Sequence, residues 1–357
     1  MLLNLQNNTK IRNRIMKKSF LFILLFFMSF SLFSQCGELR VVFWNLENFF
    51  DPYVDSTLKY NDYTPDGPQH WSLSRFYKKR NNIYKAILSL SEGVPLAVIG
   101  LCEIENTFVT TMLFQDTPLK RHNYRVVHYE GDDRRGIDVA IAYSVDKLQL
   151  VNSEAVKVRD VCDKGFKTRD ILYAKFYDKV GDTLHCFVNH WPSRYGGEKE
   201  TIYYRSLAAS VLRAKIDSLM NVCVEMPKIV VMGDFNDTPY DNSIIDVLGA
   251  VPCQHATKED ALINLFSNAK DLGFSGTLKH KYTWQIFDQI MLSNALLYAD
   301  KTMRYKKKSA SIFHADFLFM TDDTYGGKKL FRTYVGPKYQ GGYSDHLPVY
   351  IDLINDG

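Results

Sequence analysis

Short apolar runs recur along the chain, and several of them stop at the same kind of residue. Val41–Trp44 runs into Asn45-Leu46-Glu47, Leu96–Cys102 into Glu103, and Leu184–Val188 into Asn189-His190. Lys228–Met232 runs into Gly233-Asp234-Phe235-Asn236, and Val139–Ala142, Ile171–Tyr177 and Val349–Leu353 supply further strands. Runs without polar alternation belong to strands covered on both faces, so helices or a second sheet must lie over them.

Two stretches carry helical spacing instead. Ser72–Leu90 places Phe76, Ile83, Ile87 and Leu90 on one stripe, and Glu198–Met220 does the same with Ala208, Leu212, Ile216 and Leu219. A helix between strands returns the chain for another strand in the same direction. The expected architecture is an α/β layered sandwich: two packed mixed sheets with helices outside. No Pro/Gly/Ser-rich linker divides it, so one domain is expected from Gly37 to residue 357.

The first segment reads differently. Met16-Lys17-Lys18 precedes the apolar run Phe20–Phe33, the layout of a secretory signal, with cleavage expected near Ser34 and residues 1–34 excluded from the fold. The run falls short of the roughly 20 residues that cross a bilayer, so no stable membrane span is expected. Residues before Met16 read as a start assigned too far upstream. Phe33 and Gln35 are large for a lipid-attachment site, which argues against an anchor at Cys36. The expected destination is secreted or periplasmic.

Removing the leader changes the charge. It holds five basic residues and no acidic one; subtracting these from the 44 lysines and arginines leaves 39 against 40 acidic residues, a net of −1. Bulk attraction to nucleic acid is therefore unsupported. Lys306-Lys307-Lys308, and Arg75 with Lys78-Lys79-Arg80, read as solvated basic faces. Of the six cysteines, no two have CxxC spacing, which disfavours a zinc knuckle, and Cys102 and Cys186 lie inside apolar runs as expected for buried thiols.

The chemistry sits at the strand exits: Asn45/Glu47, Glu103, His190, Asp234/Asn236, Asp288 and Asp345/His346. Singly, Asp234 with Asn236 is a turn pair and Glu103 a helix cap. Their recurrence above a buried core favours a site. Carboxylate and amide oxygens suit a hard cation, Mg²⁺ with Mn²⁺ or Ca²⁺ as alternatives. His346 cannot be oriented by Asp345, since neighbours on extended chain face opposite ways. Asp288 is the candidate partner, and an Asp-oriented histidine serves as general base or stabilises developing charge.

Trp44-Asn45-Leu46-Glu47-Asn48, Gly100-Leu101-Cys102-Glu103, Gly233-Asp234-Phe235-Asn236 and Ser344-Asp345-His346-Leu347-Pro348 resemble, in order, the motifs of the endonuclease/exonuclease/phosphatase superfamily. The resemblance implies a four-layered αββα sandwich and hydrolysis of phosphodiesters by in-line attack of activated water. It implies a metal held by Glu103 with Asn45, Glu47 and Asp345 beside it, and Asp234 and Asn236 positioning water and phosphate. His346 would be held by Asp288. His190 resembles the second histidine of deoxyribonuclease I and of sphingomyelinases; it, or water on the ion, would protonate the leaving oxygen, and Asp138 would orient it. Asn45 and Arg194 are the expected phosphate binders, an inert loop arginine being the alternative for Arg194. Trp191 stacks on a base or packs in its loop, and the loop Asp51–His70 shapes access or is inert.

A nuclease acting on DNA or RNA as a monomer is the favoured reading. A lipid or small-molecule phosphoesterase on the same site, and an inactive binding protein of the same fold, are the alternatives.

Overall fold

A computed structural model describes residues 37–53, 62–252, 261–300 and 302–356. The N-terminal leader, Cys36, Cys253 and part of the Asp51–His70 loop lie outside the described residues. In chain order the sheet strands are β1 (Leu39–Phe49), β2 (Val98–Ile104), β3 (Tyr124–His128), β4 (Asp138–Ser144), β5 (Leu148–Val156), β6 (Ile171–Asp178) and β7 (Thr183–His190). Then come β8 (Ile229–Asp234), β9 (Ala250–Pro252), β10 (Leu262–Asn264), β11 (Asp288–Ser293), β12 (Arg304–Tyr305), β13 (Ser311–Ile312) and β14 (Val349–Ile354).

They form two seven-stranded sheets. One runs β12-β14-β1-β2-β4-β3 with β13 also on β14; the other runs β5-β6-β7-β8-β11-β10-β9. Each is centred on a crossover pair of parallel strands, β1 with β2 and β7 with β8, and the second sheet also pairs β9 with β10 in parallel at its edge. The helix α1 (Leu73–Ser91) makes the first crossover and α3 (Glu198–Val222) the second. Ser72 caps α1 by accepting from the Arg75 amide, which satisfies a donor the first turn cannot.

Alternate residues of the central strands serve different neighbours, as a pleat requires. Cys186, Val188, Val230 and Met232 join the core between the sheets. Phe187, Ile229 and Val231 pack outward on Ala208, Leu212 and Ile216 of α3. On the first sheet, Phe76 of α1 stacks on Phe49 at 5.3 Å and on Phe108 of the helix α2 (Thr107–Phe114) at 5.8 Å. The order of layers is helix, sheet, sheet, helix. The sheets approach so closely at Gly100 that a Cβ there would lie 2.9 Å from Met232 Sδ and from Val188 Cγ2. Cys102 and Cys186 are buried free thiols, as expected, and no helix among the described residues is long and apolar enough to cross a membrane.

Candidate active site

Both sheets present site residues at the ends of their central parallel strands, where the backbone leaves regular geometry, and Asp288, Asp345 and His346 join them from the start of an antiparallel strand and from a loop. Asn45 of β1 pairs with Cys102 of β2, but the next registered pair is Phe49 with Ile104. Three residues of β1 thus bulge opposite Glu103, which is itself skipped in the pairing of β2 with β4. Glu47, Glu103 and Asn236 all hold left-handed backbone, with φ of 49°, 59° and 51°. Such conformations cost about 1 kcal/mol or more for residues with a side chain. Here the bulges turn the side chains out of the strands and over the end of the core.

The other sheet delivers its residues by register. His190 pairs with Asp234 across β7 and β8, and Asp234 pairs with Asp288 across β8 and β11. Gly233 is required between them, because a Cβ there would sit 2.6 Å from the Asn189 backbone oxygen. Ser344 ties the last motif to the first: its hydroxyl donates to the Asn45 carbonyl at 2.7 Å and accepts from the His346 amide at 3.0 Å.

Asp234 is the hub. Its Oδ2 accepts from Asn45 Nδ2 at 3.0 Å, and its Oδ1 accepts from the Asn236 amide at 3.0 Å. Around Oδ2 lie His190 Nε2 at 3.7 Å and His346 Nε2 at 3.8 Å, and His190 Nε2 is also 3.7 Å from Glu103 Oε1. These separations exceed direct hydrogen bonds, so the four polar edges face a common space instead of binding one another. His346 Nδ1 bonds Asp288 Oδ2 at 2.7 Å.

Burial and neighbouring charge divide the roles. Burial raises the Asp234 carboxyl to about 6, with Asp288 adding to the rise and His346 opposing it. Burial pulls the His346 imidazolium down, but Asp288 and Asp234 outweigh it and hold the ring well above the ordinary histidine range. His190 is driven well below that range, first by burial and then by Arg169, Arg135 and His346. At neutral pH the group therefore comprises a carboxylate base, an imidazolium and a neutral imidazole. A ring held as an imidazolium has no free nitrogen to accept a proton and presents its Nε2–H to the common space.

Among the described residues, Asp234, Asp288 and His346 place three ligating atoms within 4.8 Å of one another. The direct His346–Asp288 hydrogen bond leaves no room for an ion between them. The oxygens of Glu103 and Asn45 suit a hard cation better: Glu103 Oε2 accepts the Asn48 amide at 2.6 Å, while its Oε1 faces the common space.

Glu47 and Asp345 lie beside this space with their carboxylates engaged. Glu47 takes Arg332 Nε at 2.9 Å, the Thr333 amide at 2.6 Å and the Tyr334 amide at 3.3 Å; Asp345 takes Arg332 Nη2 at 2.7 Å. Neither Arg332 nor Lys79 was read from the sequence as part of the site. Lys79 is 1% exposed and bonds the Glu47 carbonyl and Thr333 Oγ1, which corrects its reading as a solvated face. The signal was available, since Lys79 falls on the apolar stripe between Phe76 and Ile83.

Two further expectations are corrected. Arg194 is not a free phosphate fork: Nε donates to the Asn236 carbonyl, Nη2 pairs with Asp237 and Asp241, and Nη1 pairs with Glu198. Asp138 does not orient His190, since it accepts from the Gly131 amide and lies 3.8 Å from His128. Of the two readings for Trp191, packing holds: it is 1% exposed, donates to Asn189 and meets Phe235 edge-on. A cavity of about 660 Å³ opens beside Leu39, Arg40 and Leu96 at the other end of β1 and β2, away from these groups.

A sequence model of the Endonuclease/Exonuclease/phosphatase family matches residues 40–355, and the chain belongs to that family of phosphoester hydrolases. No curated protein matches the sequence. Solved structures share the fold. An endonuclease/exonuclease/phosphatase family protein of Bacteroides thetaiotaomicron superimposes with a TM-score of 0.56 at 16% identity, covering 90% of this chain and all of that one (100%). A mannosyl-6-phosphatase of the same organism gives 0.55 at 18% identity, with 88% and 99% covered. The human Nocturnin catalytic domain with bound sulfate gives 0.51 at 18%, with 88% and 94% covered.

Proposed function

We propose that this chain is an exported hydrolase of phosphodiester bonds that works with a hard divalent cation, Mg²⁺ by donor chemistry, and takes nucleic acid as substrate. The observation that carries the reading is the meeting at Asp234 Oδ2, where Asn45, His190 and His346 converge within 3.0–3.8 Å. When bound by Glu103 and Asn45, the cation would offset negative charge on the phosphoryl oxygens.

The chain's own groups carry the remaining steps. Asp234 removes a proton from the attacking water, its Oδ1 fixed by the Asn236 amide. Asp288 holds His346 as an imidazolium whose Nε2–H meets charge building on the phosphoryl group. His190, kept neutral, donates a hydrogen bond from Nε2 to a phosphoryl or leaving oxygen without giving up the proton; the departing oxygen is protonated from solvent, to which Asp234 returns the proton it took. Asn45 fixes the second Asp234 oxygen and lines the same space. Arg194 acts at one remove, by holding the Asn236 carbonyl.

The mature charge balance favours a second reading, a small or lipid phosphoester in place of a long polyanion. Purified mature protein assayed on plasmid DNA, bis-p-nitrophenyl phosphate and p-nitrophenyl phosphate, with Mg²⁺ or with chelator, separates the two. Nicking of DNA together with diester cleavage supports the nuclease. Diester or monoester cleavage without nicking selects the second reading. No Mg²⁺-dependent turnover on any of them removes both.

A further inference from the structure

We propose that Arg332 is a built-in cation that restricts the acidic pocket to a single divalent ion. The inference rests on the phosphoesterase reading above and adds the number of ions that the site accepts.

Arg332 spans two carboxylates from opposite ends of the chain. Its Nε lies 2.9 Å from Glu47 Oε1 and its Nη2 2.7 Å from Asp345 Oδ2. The grip is reinforced by the backbone, because the adjoining Thr333 amide donates to Glu47 Oε2 at 2.6 Å and Tyr334 donates to Oε1. Side chain and main chain of one segment thus hold one carboxylate from both sides. Guanidinium remains charged at any working pH and matches carboxylate oxygens in a planar fork. It therefore keeps its charge when an ion arrives nearby.

Lys79 adds a second positive charge from behind at neutral pH, although burial lowers its ammonium to about 8. It is fully buried against the Glu47 carbonyl and Thr333, and feels Glu47, Asp345 and Glu103. Three carboxylates, Glu47, Glu103 and Asp345, thus face the permanent guanidinium charge of Arg332 and, at neutral pH, the ammonium of Lys79. One dication turns that local balance from −1 to +1, which suits an anionic phosphate. A second would bring it to +3 and would have to displace Arg332 from both of its partners. Mg²⁺ needs only one or two carboxylates, and Glu103 Oε1 faces the common space without such a clamp.

The test counts Mn²⁺ bound to the mature protein, by calorimetric titration and by the electron-paramagnetic signal of free Mn²⁺. Wild type and Arg332→Lys are expected to bind one ion, and Arg332→Gln to bind a second. Two ions in wild type overturn the inference, as does a single ion in Arg332→Gln whose circular dichroism is unchanged. If Arg332→Gln does not fold, the wild-type and Arg332→Lys counts decide: one ion in each supports the clamp, and two in either overturns it. No Mn²⁺ bound by wild type removes the metal-dependent reading itself.

Discussion

His346 Nδ1 lies 2.7 Å from Asp288 Oδ2, across 58 positions of sequence and between a loop and a strand of different sheets. Both side chains are buried, so the contact is a desolvated, charge-assisted hydrogen bond. It fixes the ring so that Nε2 points at the Asp234 side of the common space. Asp288→Asn keeps the shape but removes the charge that sustains the imidazolium. Turnover of bis-p-nitrophenyl phosphate is expected to fall by about 10²–10⁴-fold, with KM within a few-fold of wild type. A kcat within threefold of wild type would remove the pair from the reaction.

The pH profile follows from Asp234. Its carboxyl is raised to about 6 by burial, and the base form is the ionised one, so activity is expected to rise with pH through that value. The limb reports the Asp234–Asp288–His346 group as a unit. Measured kcat/KM between pH 4.5 and 8 should therefore show a rising limb near 6. A profile flat across that window would contradict the assignment of Asp234 as base.

Arg194 is expected to act through structure. Its guanidinium ties the Asn236 carbonyl to Asp237 and Asp241, and Arg205, fully buried, shares Asp237. Arg194→Ala leaves these carboxylates with one partner fewer and should cost about 1–3 kcal/mol of stability by urea denaturation. Turnover should drop through misplacement of Asn236, with KM nearly unchanged. A raised KM with normal kcat and stability would restore it as a phosphate contact.

Asp138 offers a test of stability against pH. Burial raises it from 3.8 to about 7. A carboxyl with a raised folded value contributes stability that is fully present below 3.8 and is lost as pH rises through about 7. Asp138→Asn should match wild type near pH 4 and exceed it at pH 8 by about 2 kcal/mol in denaturant unfolding. Equal stability at both pH values would show that the carboxylate is compensated in the fold.

The sandwich and most of the candidate site were legible because both rest on strands covered on two faces. Apolar runs such as Lys228–Met232 announce their strand and leave the next polar residue, Asp234, at its exit. The helix starting after Ser72 was legible from its apolar stripe. The edge strand β5 was not, since it is largely exposed and carries no apolar run. Arg332 was invisible for a different reason: Leu330-Phe331-Arg332-Thr333 has no motif spacing, and its partners are 285 residues away at Glu47 and nearby at Asp345. Lys79 was misread by grouping it with its charged neighbours when its place on the apolar stripe marked it as buried. Arg194 was assigned by residue type, and only the positions of Asp237, Asp241 and Glu198 show that its donors are already engaged.

The choice between a gathered catalytic group and an inert one comes down to turnover of bis-p-nitrophenyl phosphate by wild type, Glu103→Gln and Asp234→Asn, each with Mg²⁺ and with chelator. Wild type should turn over only with Mg²⁺, and both variants should lose at least about 10²-fold while keeping wild-type circular dichroism. Turnover that survives the chelator, or that persists undiminished in both folded variants, would contradict a metal-dependent phosphoesterase centred on Glu103 and Asp234.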